Sequence, residues 1–349
     1  MKKSLIALAV AGAFAAPAFA ATSNVDVYGK LHVSVSMFDD QAETTNDLQV
    51  SSNASRIGFK GSEDLGGGLS AIWQIESGVN LDEQSGSVSN RNSFVGLSGG
   101  FGTVLAGNHD TPLKLVGRAV DLFGDTMADS RNVMGGGSDT RAKNVVAYIS
   151  PNFSGFSFAG AYSTDLEIAD NAAAIAPELP IPLTGVERDS RGVYNLSATY
   201  ANGPIYAGLA YGDGDGHEAL GLGAHIRVAG GFTFGNAKIV AQYDTLEDDT
   251  AVGNDMDAWM VGGSYTMGAI VLKANYMAKE YDVATNEPTQ WTIGADYNLS
   301  KRSSVYALYA SGEEGVVMGS GAGSTDQVAG GPTSGGDVSV LSVGMIHTF

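Results

Sequence analysis

Residues Leu341 to Phe349 (Leu-Ser-Val-Gly-Met-Ile-His-Thr-Phe) alternate large side chains with small or polar ones and finish on an aromatic. With a period of two, Leu341, Val343, Met345, His347 and Phe349 share one strand face, and Ser342, Gly344, Ile346 and Thr348 take the other. Ile346 interrupts the pattern, and upstream Val338 and Val340 fall on the small-residue face, so alternation is clean only from Leu341. One face suits lipid and the other water. Chain ends are usually frayed and polar, so an aromatic tip predicts a strand that pairs to close a sheet. On this segment alone, the last strand of a soluble sandwich is the alternative.

The other end of the chain favours the membrane. Lys2 and Lys3, an apolar run from about Leu5 to Phe14 and Ala18-Phe19-Ala20 form the pattern of a cleaved secretory signal, which predicts a signal segment at 1–20 and one mature domain at 21–349. No later stretch approaches the roughly 18 uninterrupted apolar residues of a spanning helix. A closed barrel is the other way to satisfy every backbone N–H and C=O in hydrocarbon. Mean hydropathy of +0.01 fits strands whose lipid and water faces average out. The exported chain has no cysteine, so disulfides do not stabilise it. Its formal charge of −19 makes nucleic acid an unsuitable partner.

The spacing of turns gives the architecture. Tight turns are predicted at Leu65-Gly66-Gly67-Gly68, Gly99-Gly100, Pro151-Asn152-Phe153-Ser154, Asn202-Gly203-Pro204, Gly235-Asn236, Met267-Gly268 and Asn298-Leu299-Ser300-Lys301. Longer polar stretches lie between them, near 38–49, 79–90, 108–140, 164–191, 212–222, 244–256, 281–289 and 311–337. Seven tight turns alternating with long loops predict an all-β fold, a transmembrane antiparallel β-barrel of about 16 strands. In the first strand Val25, Val27, Leu31, Val33, Val35 and Met37 face one way, and Asp26, Tyr28, Lys30, His32, Ser34 and Ser36 the other, so charge is confined to one face. Tyr148, Tyr162, Tyr200, Tyr211, Tyr243, Tyr281 and Trp291 fall near strand ends, where interface girdles form. Ordinary core aromatics are the alternative.

These features together resemble the trimeric general porins of Gram-negative outer membranes, over essentially the whole mature chain. The resemblance is carried by Asp26-Val27-Tyr28-Gly29-Lys30-Leu31, by Ser55-Arg56-Ile57-Gly58-Phe59-Lys60-Gly61 with Glu63-Asp64-Leu65-Gly66, and by Arg91-Asn92-Ser93-Phe94-Val95-Gly96-Leu97 with Phe101-Gly102-Thr103-Val104-Leu105-Ala106-Gly107. Tyr148-Ile149-Ser150-Pro151-Asn152-Phe153-Ser154-Gly155-Phe156 and the terminal His347-Thr348-Phe349 complete it. It implies a channel for passive diffusion of ions and small hydrophilic solutes, assembled as a homotrimer in the lipid bilayer beside lipopolysaccharide. It also implies that Phe349 is an assembly signal for the barrel-insertion machinery.

The resemblance further implies that the longest internal loop, about 108–140, is the third loop of such proteins and folds into the lumen. Thr111-Pro112-Leu113 and Val120-Asp121-Leu122-Phe123-Gly124-Asp125 match that loop's usual pattern. The loop carries Asp110, Asp121, Asp125, Asp129 and Asp139, with Arg118 and Arg131 among them. On the wall, Lys30, Arg56 and Arg91 match lumen-facing positions, and Lys60, Arg141 and Lys143 extend the ladder, the last two by strand parity. A carboxylate-lined loop facing a basic wall produces a transverse field that favours polar solutes. Taken singly, Arg56 or Arg91 reads equally well as a snorkelling interface residue, although a charge aimed at lipid near the midplane costs about 2 to 4 kcal/mol. Where the family often shows an arginine on the sixth strand, this chain has Val145, Ala147 and Ile149. Charge counting leaves the ion preference open, because acidic outer loops (Asp39-Asp40, Asp213, Asp215, Glu247-Asp248-Asp249) oppose the arginines.

Other chemistry finds little support. The five histidines (His32, His109, His217, His225, His347) have no metal-ligand spacing, so neither metal nor cofactor is implied. Gly212-Asp213-Gly214-Asp215-Gly216 offers oxygens of the type calcium uses, without the usual set of about six to eight ligands. No nucleophile, base and orienting group stand in register, which argues against an enzyme. A substrate-specific porin of the same architecture is the runner-up, and an outer-membrane barrel acting mainly as adhesin or as an enzyme comes third.

Overall fold

Seven short reversals divide the chain into hairpins at the positions the sequence marks. Gly203, Gly235 and Gly268 each stand first in a two-residue turn with φ of +58°, +60° and +63°, where any side chain would be strained. The computed structural model describes residues 24–40, 48–82, 91–136, 139–165, 192–214, 223–248, 254–285, 287–319, 328–329 and 336–349. The signal segment expected at 1–20 lies outside the described residues, as does most of the polar stretch near 164–191.

Seventeen of the described strands form one closed antiparallel barrel, and two short ones pair with each other apart from it. In chain order they are β1 (Asn24–Asp40), β2 (Leu48–Ser52), β3 (Arg56–Gly66), β4 (Leu69–Gly78), β5 (Ser93–Gly99), β6 (Gly102–Asp110), β7 (Arg141–Ile149), β8 (Phe156–Asp165), β9 (Val193–Asn202), β10 (Ile205–Gly214), β11 (His225–Phe234), β12 (Ala237–Leu246), β13 (Met256–Met267), β14 (Ile270–Tyr281), β15 (Thr289–Asn298), β16 (Ser303–Glu313), the short β17 (Val317–Met318) and β18 (Val328–Ala329), and β19 (Val338–Thr348). Because β2 and β3 both pair with β1 and act as two halves of one stave, the barrel has sixteen staves. Closure is between β1 and β19, in register from Lys30 opposite Thr348 to Asp40 opposite Val338. Closing the sheet leaves no edge with unpaired backbone groups, the condition for crossing hydrocarbon with strands.

The predicted parity holds along most staves. Val25, Val27, Leu31, Val35, Met37, Val95, Leu196, Leu209, Val228, Ile239, Val261, Ile293, Leu341 and Val343 are exposed. His32, Ser34, Ser36, Ser197, Thr199, Gln242, Asp244, Thr292 and Ser342, on the opposite face, are buried. An apolar outer band around the whole circumference is a lipid-facing surface, since no soluble protein leaves so much contiguous apolar area to water. Exposed aromatics pair across neighbouring strands, Tyr162 with Tyr194 at 5.0 Å, Trp259 with Tyr276 at 5.3 Å and Trp291 with Tyr309 at 5.4 Å between centroids. Tyr281, expected in the girdle, instead packs against the interior cluster. At the seam, Phe349 lies over Gly29. A Cβ at Gly29 would come within 2.4 Å of the Phe349 ring, so the terminal aromatic fills the space that the glycine leaves.

Between β6 and β7 two short helices form, α1 (Pro112–Arg118) and α2 (Arg131–Met134). Thr111 caps α1 by accepting a hydrogen bond from the Lys114 backbone N–H, and Pro112 occupies the first turn, where its missing N–H costs nothing. Leu113, Val116, Val120, Phe123, Met127, Val133 and Met134 are fully buried against inner-face side chains of β10 to β16, among them Tyr206, Ala229, Met260, Met277 and Leu308. Methionines supply much of this contact, and their unbranched thioethers fill an irregular space that branched side chains would leave open.

Candidate functional site

The second stave is broken at Asn53 to Ser55, and the break aims a charge. Ala54 takes φ of +52°, the Ser55 hydroxyl bonds to both the backbone N–H and the C=O of His32, and the Ala54 carbonyl accepts from Arg56 Nη1. Irregularities of this kind redirect side chains beside functional sites. Arg56 thereby reaches Asp125 of the α1–α2 segment at 3.6 Å and Glu76 of β4 at 3.9 Å.

Asp125 is the junction between segment and wall. Its φ is +61°, and its carboxylate sits 2.9 Å from Lys30, 2.9 Å from Arg118, 3.6 Å from Arg56 and 3.9 Å from Arg131. Burial alone would raise its pKa, but Arg118, Lys30, Arg56 and Arg131 outweigh that and hold it well below the usual carboxylate range. Beside it, Glu76 accepts from Arg91 at 2.6 Å and from the Tyr28 hydroxyl at 2.9 Å. Lys60 lies over the Tyr28 ring, 5.3 Å from its centroid. At the base of α1, Asp110 binds Lys114 at 3.2 Å and Arg141 at 3.1 Å, and Asn92 bridges Asp110 and Arg141. Burial pushes Lys114 down to about 8 despite Asp110.

Three expectations need correction. Asp121 does not face the wall. Its carboxylate accepts from the backbone N–H of Phe123 and from the N–H and hydroxyl of Ser130, so it closes a turn within the segment. Asp129 is likewise turned inward, bound side-on by Arg131 and accepting from the Asp125 N–H. Lys143 leaves the ladder because of a bulge. Two β7 residues, Lys143 and Asn144, stand where β6 has one between Gly107 and His109, and Asn144 takes φ of +50°. Ala142 and Val145 on either side are therefore both buried while Lys143 is exposed, a parity change that simple alternation cannot show.

The burial of Asp121 raises its pKa from 3.8 to about 6, and the neighbouring Asp129 carboxylate adds to the rise. Folded, the group holds a proton that the unfolded chain releases above its ordinary value, so its contribution to segment stability falls as pH rises from 3.8 to about 6. Hydrogen exchange at Phe123 and Ser130 should quicken across that window beyond the intrinsic pH trend. Asp121→Asn should remove the excess dependence.

Four members of the charged network escape a sequence reading: Glu76 and Lys114, and on β11 and β12 the paired Arg227 and Asp244. Strand parity puts Glu76 and Arg227 on inner faces, but a sequence cannot show which cation meets which carboxylate. The resulting site holds seven cations (Lys30, Arg56, Arg91, Lys114, Arg118, Arg131, Arg141) around four carboxylates (Glu76, Asp110, Asp125, Asp129). Four arginines are the outermost groups of the site, whereas Lys30, Arg131 and Lys114, at 14%, 12% and 9%, lie about as deep as Asp110. Arg118, Arg56, Arg141 and Arg91 side chains are 32%, 23%, 19% and 18% exposed, against 12%, 8%, 5% and 0% for Asp110, Glu76, Asp125 and Asp129.

A sixteen-stave barrel with an apolar outer band and a charged inner site defines an outer-membrane channel. Residues 7–315 match the Gram-negative porin family, and the chain belongs to it. Outer membrane porin protein 32 of Delftia acidovorans is 30% identical over 372 residues, covering 100% of both chains. Major outer membrane protein P.IB of Neisseria sicca is 32% identical over 365 residues, covering 95% of this chain and 98% of the relative. Among solved structures, the anion-selective porin from Comamonas acidovorans superposes with a TM-score of 0.75 at 27% identity, covering 94% of this chain and 100% of that one. The chain is thus a porin of the outer membrane, and its relatives are channels.

Proposed function

We propose that the segment from Thr111 to Asp139 is the constriction of the channel, lying in the lumen, and that the narrowest point prefers anions. The observation that carries this is the layering of charge: Arg118, Arg56, Arg141 and Arg91 are the most exposed groups of the site, and its seven cations outnumber its four carboxylates. A passing ion approaches the outer arginines more closely than the carboxylates beneath them, and the ion pairs leave the site with an excess of positive charge. Lys30, Arg56, Lys60, Arg91, Arg118, Arg131 and Arg141 are the residues assigned to this role, with Asp110 and Asp125 holding them in place. Lys143 has no part in it. Support also comes from the 27% identical porin, which is described as anion-selective. The acidic side chains of Asp39, Asp213, Glu247 and Asp248 work against this preference, an effect that salt screening reduces.

Passive diffusion of small hydrophilic solutes without a dedicated ligand is the reading we favour over a substrate-specific porin. Homotrimeric assembly, contact with lipopolysaccharide and recognition of Phe349 by the insertion machinery complete the proposal, supported by the family's resemblance alone. Swelling of liposomes carrying the protein tests it. Anionic sugar acids should enter faster than aminosugars of equal size, with rates linear in concentration. Saturation by one solute would favour the substrate-specific reading, and faster entry of cations would overturn the preference.

A further inference from the structure

We propose that Arg227 on β11 is the clamp that fixes both stems of the constriction segment to the wall, and so is a positioning residue of the pore. The inference rests on the reading of that segment as the constriction. A guanidinium has five N–H donors, and all five are engaged here. Nε and Nη2 bind Asp244 of β12 side-on at 2.8 and 2.6 Å, Nη1 donates to Asp139 at 2.7 Å and to the Leu113 carbonyl at 3.2 Å, and Nη2 donates to the Met134 carbonyl at 3.3 Å. Leu113 lies in α1 and Met134 ends α2, so one planar group ties the beginning and the end of the segment to the barrel.

The surroundings agree. The Arg227 side chain is 1% exposed, so its charge is out of water, and its salt-bridge partners among the described residues are Asp139 and Asp244. Gln242 donates to both Asp244 oxygens, fixing the wall half of the pair. On the segment side, a Cβ at Gly117 would come within 2.5 Å of Arg227 Nη1, so α1 approaches the guanidinium as closely as only a glycine permits. Lys279 adds a further contact by donating to the Gly135 carbonyl at 3.3 Å. Side-on Arg–carboxylate pairs fix direction as well as distance. A lysine at 227 could not serve two carboxylates and two carbonyls at once. Arg227 touches no permeating ion in this account. It acts through the position of the segment that carries Arg118, Asp125 and Arg131.

The test uses the full-length protein and a reporter cysteine at Met134, which is fully buried in a chain that has no other cysteine. Asp139→Asn weakens the segment half of the clamp and leaves Arg227 paired with Asp244. A triple variant, Arg227→Met with Asp139→Asn and Asp244→Asn, removes the guanidinium together with both of its carboxylate partners, so no carboxylate of the clamp is left unpaired, while His225 and Lys279 stay in place. In heat-modifiable, folded protein, both should speed reaction of M134C with a charged methanethiosulfonate by at least about tenfold and raise open-channel current noise. Unchanged reaction rate and noise would overturn the clamp. If the triple variant does not fold, Asp139→Asn decides alone. Faster labelling with unaltered current would uphold the clamp and sink the constriction reading. Unchanged labelling, with a reversal potential that still responds to Arg56 and Arg118, would do the opposite.

Discussion

Replacing Arg56 and Arg118 together by glutamine shifts the reversal potential of the channel toward cations. These are the two most exposed arginines of the cluster, at 23% and 32% of the side chain, and they come from opposite sides, one from β3 and one from α1. At about 6 Å in a water-like medium, each unit charge is worth about 0.7 kcal/mol to a passing ion, with opposite sign for anion and cation. Two charges removed therefore change the anion-to-cation ratio by about 2.8 kcal/mol. Screening at 0.1 M salt, where the Debye length is about 10 Å, reduces the effect to about tenfold in the permeability ratio. The shift should shrink as salt is raised. A reversal potential that does not move would remove both arginines from the narrowest point.

Asp125→Asn should move the same potential the other way, while loosening the segment. The substitution leaves Lys30, Arg56, Arg118 and Arg131 with their charges, all within 3.9 Å of the neutralised group. Removing one partner from a buried ion cluster costs about 3 to 5 kcal/mol, because the charges left behind repel one another and are poorly solvated. Anion preference should rise. Protection of the segment against hydrogen exchange should fall, since Asp125 is its principal link to β1 and β3. The opposite signs of the two results separate a field set by the cluster from a mere change of pore width, which would move conductance in both cases without reversing the potential.

Much of this arrangement is legible from residue order. Turns at Gly203, Gly235 and Gly268 need positive φ, and glycine announces them. Parity in β1 or β19 follows from alternation, because one face meets lipid and the other does not. The closing contact of Phe349 with Gly29 is foreshadowed by an aromatic end, although the glycine beneath it is not. Parity fails where backbone geometry changes without a compositional mark. Asn144 tolerates a left-handed conformation, and the bulge it makes turns Lys143 outward. The site was legible only in part. Lys30 and Arg56 do reach a carboxylate of the segment, but Asp121 and Asp129 serve turns inside it, and nothing in their spacing separates them from Asp125. Glu76 and Arg227 become meaningful only once β4 and β11 are placed, since their partners lie 15 to 114 residues away in sequence. The expected contrast of an acidic loop with a basic wall gives way to cations on both sides.

The proposed anion preference rests on the four outermost arginines, which face the water at the narrowest point. The most direct test is the zero-current potential of the unaltered protein, inserted from detergent into a neutral planar bilayer, under a potassium chloride gradient. The dilute side should become negative as chloride passes faster than potassium, and the preference should weaken as both solutions are concentrated. A positive dilute side at every salt concentration would show that the carboxylates or the acidic outer loops govern the pore, and would overturn the proposed anion preference.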